Sequence, residues 1–259
     1  MIVEVKEVFE LNKTIETILN HRSIRSFTDE RLSEEEVLTL IKSAQAASTS
    51  SYVQAYSIIG VTDQEKKAKL AELAGNQPYV EKNGHFFVFC ADLKRHDDIA
   101  KKAGKNHQEA LENTEAFLIS VIDTALAAQN MSIAAESMGL GICYIGGLRN
   151  QLREVSDLLE TPSYVLPLFG LVVGHPASQS SQKERLPVEL IYHENSYQQD
   201  ETHVDRYLKE YDDRISSYYE ERTNGERTDT WSKQMLRGFS QPKRAFLGEF
   251  VKEKGFNRK

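Results

Sequence analysis

Residues 21–27 read His-Arg-Ser-Ile-Arg-Ser-Phe, the stretch around which the rest of the chain is organised. It carries two guanidinium groups, an imidazole and two hydroxyls in a chain whose formal net charge is -7. Arginine suits phosphate and other anions because its planar donors form paired hydrogen bonds. The stretch therefore predicts an anion clamp. The alternative is that both arginines form surface ion pairs with Asp29, Glu30 and Glu34, as charge clusters usually do.

A second cationic pair, Lys183 and Arg185, lies in a stretch rich in serine, glutamine and proline. It is far along the chain from the first cationic stretch, yet two distant basic turns can meet on one ligand. This second pair favours the anion clamp over simple surface pairing.

The composition bounds the class of protein. Of the 259 residues, 40% are apolar and 27% are charged, values typical of a soluble globular chain. The acidic balance argues against a nucleic-acid surface, and no apolar run reaches about 18 residues, so we expect neither nucleic-acid binding nor a membrane span. The first residues lack the pattern of a signal peptide, which predicts a cytoplasmic protein. Cys90 and Cys143 lie in apolar runs and predict buried free thiols.

The pattern of apolar residues predicts an α+β fold with a sheet flanked by helices. Ser33 and Glu36 have the spacing of a capping box at the start of one helix. Residues 94–107 are polar and charged, which predicts a solvated connection. Helices are expected at 14–20, 33–47, 63–73, 111–138, 149–159, 207–219, 231–239 and 245–254, and strands at 56–61, 86–90, 142–145 and 165–174.

We expect one domain spanning residues 1–259. Residues 1–12 form an N-terminal extension, and residues from about 175 to 259 form a C-terminal excursion that wraps the domain. The segment 111–138 is apolar over much of its circumference, which predicts burial by more than one neighbour. Either a dimer interface or the core of a monomer would satisfy that requirement.

Small and hydroxylic residues mark two candidate ligand loops. Residues 47–51 read Ala-Ser-Thr-Ser-Ser, a set of donors or an ordinary polar loop, and Gly146-Gly147 permits close approach of a ligand or forms a plain turn. The dinucleotide fingerprint fails because Tyr144 occupies the place of its third glycine. No nucleophile elbow occurs either. This pattern is typical of a protein that holds a cofactor and lets the cofactor react.

Several motifs together resemble the NADPH-dependent flavin reductase branch of the nitroreductase family, group A of the oxygen-insensitive nitroreductases. The similarity is greatest to the FMN oxidoreductases of low-GC Gram-positive bacteria, and it runs in order from about Thr14 to the C-terminus. The motifs are the heptapeptide 21–27, Ser-Ser-Tyr-Val-Gln at 50–54, Ala-Ala-Glu-Ser-Met-Gly-Leu-Gly at 134–141, Tyr-Ile-Gly-Gly-Leu-Arg-Asn at 144–150, Leu-Pro-Leu-Phe-Gly at 166–170, Lys-x-Arg-Leu-Pro at 183–187, His-Glu-Asn-Ser-Tyr at 193–197 and Asp-Thr-Trp-Ser at 229–232.

The resemblance implies a nitroreductase-like fold, with a mixed antiparallel sheet, and an intertwined homodimer holding two FMN molecules at its interface. It places Arg25 near the ring edge where negative charge appears on reduction, which makes Arg25 an electrostatic stabiliser and leaves no side chain obligatory as an acid. By the same resemblance the FMN phosphate is bound by His21, Ser23, Lys183 and Arg185, with Arg22 alongside, and the ring and ribityl chain by Ser50, Ser51, Gln77 and the segment Tyr144, Ile145, Gly146 and Gly147.

The resemblance also implies that NADPH is the electron donor. Arg222 and Arg227 match the basic loop that receives its 2′-phosphate, although pairing with Glu220, Glu221 or Glu226 is the alternative. The implied activity is a ping-pong transfer of two electrons to nitroaromatics, quinones or free flavin. The competing functions are a dehydrogenase or dehalogenase of the same fold, a non-catalytic flavin-binding or sensor protein, and an anion-binding module without flavin.

Overall fold

Four strands form one sheet in the first of two compact units. They are β1 (Tyr56–Val61), β2 (His85–Asp92), β3 (Gly141–Ile145) and β4 (Val165–Gly174), in the spatial order β1-β2-β4-β3 with every neighbouring pair antiparallel. This computed structural model describes residues 12–178 and 180–259. All four predicted strands are confirmed: β1 and β4 have the predicted bounds, and the ends of β2 and β3 differ by no more than two residues.

Helices cover both faces of the sheet, which explains the uniformly apolar sequence of β2. Phe86 and Val88 belong to the apolar cluster on one face, and Phe87 and Phe89 to the cluster on the other. A strand with two covered faces has no solvent side, so it needs no polar alternation. The predicted α+β class, with helices flanking a sheet, is confirmed.

The two units are residues up to Ser181 together with Phe246–Lys259, and Gln182–Ala245. The prediction of a single domain stays a prediction. The helices of the first unit are α1 (Lys13–Leu19), α2 (Glu34–Gln45), α3 (Gln64–Leu73), α4 (Pro78–Glu81), α5 (Lys94–Lys102), α6 (Gln108–Leu111), α7 (Thr114–Ser137), α8 (Leu152–Leu158) and α11 (Leu247–Glu253), and those of the second are α9 (Glu201–Arg222) and α10 (Trp231–Gly238).

The predicted capping box begins α2. The Glu36 amide donates to the Ser33 hydroxyl at 3.2 Å, and the Ser33 amide donates back to the Glu36 carboxylate at 2.7 Å. This reciprocal arrangement satisfies two backbone donors that the first turn of a helix leaves free. Burial of Leu40 and Ala44 then attaches the helix to the sheet.

The prediction of a solvated connection over 94–107 is wrong, because α5 occupies most of it. Ion pairs one turn apart stabilise this helix: Lys94 pairs with Asp98, and Lys101 with Asp97 at 2.6 Å. Only Ala100 among its apolar side chains is buried, so the periodic signal that reveals a helix is missing. The helix predicted at 149–159 is also shorter, because Gly146–Gln151 forms a 3-10 turn before α8.

The long helix α7 confirms the prediction for 111–138 but buries an unexpected face. Apart from Met131, its buried side chains are small or polar and include Asp123 and Thr124, whereas Leu118, Ile122 and Leu126 are 48%, 49% and 42% exposed. By length and composition α7 could cross a membrane, a property that core helices share. Here its buried face packs against α2 and the sheet.

Two further predictions concern the thiols and the N-terminus. Cys90 and Cys143 are free and buried, as expected, and burial raises the pKa of both thiols. Of the predicted extension 1–12, residues 1–11 lie outside the described residues. Asn12 accepts a hydrogen bond from the Ile15 amide at 3.1 Å and thereby caps α1.

Candidate functional site

The cationic segment 21–27 lies against the edge strand β3. The Ile24 amide donates to the Ile142 carbonyl oxygen at 2.8 Å, and the Ile24 side chain is buried. A Cβ on Gly141 would come within 2.8 Å of the Ile24 side chain, so only glycine leaves room for it. The middle of the segment is therefore fixed, while Arg25 on one side of it is exposed.

His21 is oriented by a carboxylate that the sequence did not reveal. Its Nδ1 lies 2.7 Å from an Oε atom of Glu136 in α7, and both side chains are partly buried. The Arg22 Nε donates to the Asn20 carbonyl at 3.2 Å. Within the ranges 12–178 and 180–259, no ion pair joins Arg22 or Arg25 to the acidic residues 29, 30 and 34. The surface-pairing alternative is thus not what the structure contains.

Arg25 meets a short chain of hydrogen bonds in residues 74–79, a distant part of the sequence. Its guanidinium interacts with the Tyr79 hydroxyl, and that hydroxyl donates to the Gln77 side-chain oxygen at 2.5 Å. The Gln77 amide nitrogen then donates to the Ala74 carbonyl at 2.6 Å. Burial raises the pKa of Tyr79, and the positive charge of Arg25 opposes that rise. The structure therefore brings together Arg25 and Gln77, two of the predicted residues, through Tyr79, which was not predicted.

Gly147 packs against the same cluster. A Cβ built there would lie 2.4 Å from the Ala74 carbonyl oxygen and 2.6 Å from the Gln77 side-chain nitrogen. The absence of a side chain lets the backbone of the 3-10 turn lie directly over Gln77. By contrast, a Cβ on Gly146 would meet only the end of the Arg149 side chain, at 3.2 Å.

The two residues before the glycines contribute mainly backbone to this cluster. The Ile145 side chain is buried in the core. The Tyr144 ring packs edge-on against Phe169, and its oxygen accepts from the Ser132 hydroxyl at 2.8 Å. The Ile145 side chain thus belongs to the core, whereas Tyr144 remains 37% exposed; contact of this segment with a ligand stays a prediction.

The hydroxyl-rich loop has an unusual backbone. Ser51, Tyr52 and Gln54 all have positive φ angles, of 47°, 61° and 54°. The buried carboxylate of Asp123 accepts from the amide of Ser50 at 2.9 Å and from that of Ala55 at 3.0 Å. Ser50 is half-buried and Ser51 is exposed, so their hydroxyls lie on a loop anchored from beneath.

The second unit contains a separate cluster of cations on tyrosine rings. The Lys183 Nζ donates to the Tyr219 hydroxyl at 2.8 Å, and the Arg227 guanidinium lies 3.8 Å from the centre of the same ring. Arg222 donates to the Tyr218 hydroxyl at 2.8 Å. Arg185 is exposed and donates to the Lys183 carbonyl at 3.3 Å.

Among the described residues, no ion pair joins Arg222 or Arg227 to the glutamates at 220, 221 and 226. The predicted alternative for these two arginines is therefore not observed. Arg227 instead lies 3.2 Å from Asp229, which also pairs with Arg237. These hydrogen bonds lower the pKa of Asp229, with the bond from Arg237 as the larger cause.

Sequence reasoning missed Tyr79, Glu136 and Asp123, and each holds a predicted residue in place. Glu136 stood inside a motif of the resemblance but was given no role there. Tyr79 and Asp123 carried no local signal, since their partners are distant in sequence or belong to the backbone. Only the fold shows these contacts.

Two family models together match most of the chain. The family model "Nitroreductase family" matches residues 18–175, and "Nitroreductase family, C-terminal domain" matches residues 183–259. The FMN reductase (NADPH) of Bacillus subtilis is 65% identical over 248 residues, which are 96% of this chain and 100% of that protein. A Cr(VI) reductase of a Pseudomonas species is 43% identical, over 94% of this chain and 99% of that protein.

Solved structures agree with these matches. A nitroreductase from Bacillus subtilis superposes with a TM-score of 0.94 at 65% identity, covering 95% of this chain and 100% of that one. An NADPH:FMN oxidoreductase from Vibrio harveyi, solved in complex with NAD+, gives a TM-score of 0.85 at 40% identity, with 96% of this chain and 100% of that one covered.

Proposed function

The chain belongs to the nitroreductase family, and we therefore propose that it is an FMN-dependent NADPH oxidoreductase, a flavin reductase and nitroreductase. The observation that carries this proposal is its identity to the FMN reductase (NADPH) of Bacillus subtilis over nearly the whole of both chains. That likeness favours an enzyme over a non-catalytic flavin-binding protein. The names of the relatives, which are all reductases or oxidoreductases, point the same way.

The residues of the first unit fit FMN. Gly147 packs with no room for a Cβ against the Gln77 side-chain amide, and Gln77 bonds Tyr79, which in turn interacts with the Arg25 guanidinium. The other proposed FMN contacts are His21, Arg22, Ser23, Ser50, Ser51 and the backbone of 144–147. The chemistry that FMN supplies when bound is two-electron transfer, from NADPH to a nitroaromatic, a quinone or free flavin.

Arg25 has the clearest electrostatic role in this proposal. Its charge is permanent, and its guanidinium interacts with the Tyr79 hydroxyl. A cation held in place stabilises negative charge that develops on a neighbouring ring without any reorganisation during the reaction. Since protons can come from water, this chain needs no acidic side chain for the reaction.

We propose that Arg222 and Arg227 bind the 2′-phosphate of NADPH. Both are exposed, and each guanidinium group lies over a tyrosine ring of α9. Lys183 and Arg185 stay predictions as ligands of the FMN phosphate. Their contacts within the second unit leave Arg185 exposed and Lys183 directed at Tyr219.

The outer face of α7 supports a homodimer. Leu118, Ile122 and Leu126 follow one another at intervals of four residues, and each is more than 40% exposed. A row of large exposed apolar side chains on a helix that is already buried on another face is typical of an interface. We propose that a second copy of the chain covers it, and that the enzyme acts in the cytoplasm on small-molecule acceptors.

Steady-state kinetics test the proposed activity. With NADPH varied at several fixed concentrations of free FMN or a nitroaromatic, double-reciprocal plots should be parallel, because the donor leaves before the acceptor binds. Intersecting lines would contradict the ping-pong order. A purified protein that binds FMN but oxidises no NADPH with any acceptor class would instead favour the flavin-binding alternative.

A further inference from the structure

Asp123 is a fully buried carboxylate in the middle of α7, and both of its oxygens bind the same loop. Oδ1 accepts from the Ser50 amide at 2.9 Å, and Oδ2 accepts from the Ala55 amide at 3.0 Å. The two amides are five positions apart, so the carboxylate closes the loop between them. It reaches across more than sixty residues of sequence to do so.

The loop that Asp123 closes is strained. Three non-glycine residues, Ser51, Tyr52 and Gln54, have left-handed backbone angles that cost free energy and persist only where the surroundings enforce them. Tyr52 at the tip is 83% exposed, so burial of the tip does not enforce them. Other anchors are three backbone hydrogen bonds, from Val53 to Ser50, from Tyr52 to Thr49 and from Asp92 to Ala55, and the contact of the His96 ring with the Val53 carbonyl.

We infer that Asp123 is a positioning residue that holds the loop of Ser50 and Ser51 ready to receive FMN. This inference rests on the proposed function, because it assumes that the loop contacts the flavin. A ligand loop already fixed in its bound shape loses little entropy on binding. Without the carboxylate the strained angles would relax, and FMN would have to restore them.

The chemistry of the side chain makes the inference testable by a small change. A carboxylate is an acceptor only, whereas an amide of the same shape offers one acceptor and one donor group. In Asp123→Asn, one loop amide would therefore face another N–H group and lose its partner. The backbone between residues 50 and 55 would be released at one end while the helix keeps its side-chain volume.

Thr124→Val is the matched control. Thr124 is the next residue of α7, is equally buried, and donates its hydroxyl to the Ser120 carbonyl at 2.6 Å with a longer contact to Cys90. Its replacement removes a buried hydrogen bond from the same helix without touching the loop. The two variants thus separate an effect on the loop from a general loss of stability.

The experiment is an FMN titration of each full-length protein, with urea unfolding of the flavin-free form measured in parallel. The inference predicts that Asp123→Asn raises the FMN dissociation constant at least about tenfold, a change of about 1.4 kcal/mol. It predicts that Thr124→Val stays within about twofold of wild type after a comparable loss of stability. Equal dissociation constants for the two variants would overturn it.

A second measurement serves if Asp123→Asn does not fold. In the flavin-free wild-type protein, the amides of Ser50 and Ala55 should already be protected from hydrogen exchange, because Asp123 holds them before FMN arrives. Protection that appears only after FMN is added would overturn the inference and leave the proposed function intact. A wild-type protein that binds no FMN at all would overturn the proposed function, and this inference with it.

Discussion

The proposed flavin cradle consists of Gly147, Gln77, Tyr79 and Arg25. Gly147→Ala offers the sharpest test of it, because the added atom has no free volume. The new Cβ would lie 2.4 Å from the Ala74 carbonyl oxygen, whereas real Cβ contacts essentially never fall below 3.0 Å. The two backbones must therefore separate by at least 0.6 Å, the difference between those distances. The obstacle is a main-chain atom, so no side-chain rotation removes it.

The cost of such overpacking is typically about 1–3 kcal/mol. If the displaced backbone is the part that meets the flavin, the FMN dissociation constant should rise about 5- to 150-fold. Fluorescence titration of the flavin-free protein with FMN measures it. Gly146→Ala should have a smaller effect, because its Cβ meets only the movable end of Arg149.

Gly248→Ala is the control, because Gly248 lies in α11 and is not part of the cradle. Nothing lies within 4 Å of its added Cβ, so FMN binding should not change and stability should rise slightly. If Gly147→Ala bound FMN as tightly as the Gly248 variant, the backbone at 147 would not form part of the flavin site.

Three further predictions follow from individual contacts. Arg222→Ala combined with Arg227→Ala should raise the KM for NADPH about tenfold or more and leave that for NADH nearly unchanged, since only NADPH carries the 2′-phosphate; equal effects on both donors would exclude this role. Glu136→Gln weakens the charge-assisted bond that orients His21, so the FMN dissociation constant should rise about tenfold. An unchanged dissociation constant in the same titration would mean that Glu136 does not act through His21. Burial, with a smaller contribution from a nearby lysine, lowers the pKa of His85 from 6.5 to about 4, so the stability that its neutral ring confers is complete above pH 6.5 and is lost as the pH falls toward 4. The urea midpoint of the wild type should therefore fall more between pH 7.5 and pH 5 than that of His85→Leu, and parallel declines would refute the assignment.

The elements that the sequence predicted well are those whose signals are local. The capping box at Ser33 is complete within four residues, and the apolar run of β2 is explained by its own burial on two faces. Helix α5 is not predicted by hydrophobic periodicity, because it buries a single apolar side chain, Ala100. Ion pairs one turn apart stabilise it instead. Charge pairing at intervals of four was the signal available for it.

The residues of the candidate site likewise fall into those with a signal in the sequence and those whose contacts only the fold shows. Arg25, Gln77 and Gly147 could be named from the resemblance, but the link between Arg25 and Gln77 depends on Tyr79, which no motif marks. Asp123 lay within a helix that was interpreted as apolar, and its partners are backbone amides. Amides are identical in every residue, so a sequence carries no sign of which of them a buried carboxylate will bind.

The central claim is that this chain holds FMN and reduces it with NADPH. An anaerobic absorbance titration of the purified protein, first with NADPH and then with NADH, tests it most directly. We predict a yellow protein whose visible flavin band bleaches with about one equivalent of NADPH per subunit and without a new long-wavelength band. A protein that is colourless and takes up no added FMN, or one whose flavin band survives excess NADPH, would contradict the account.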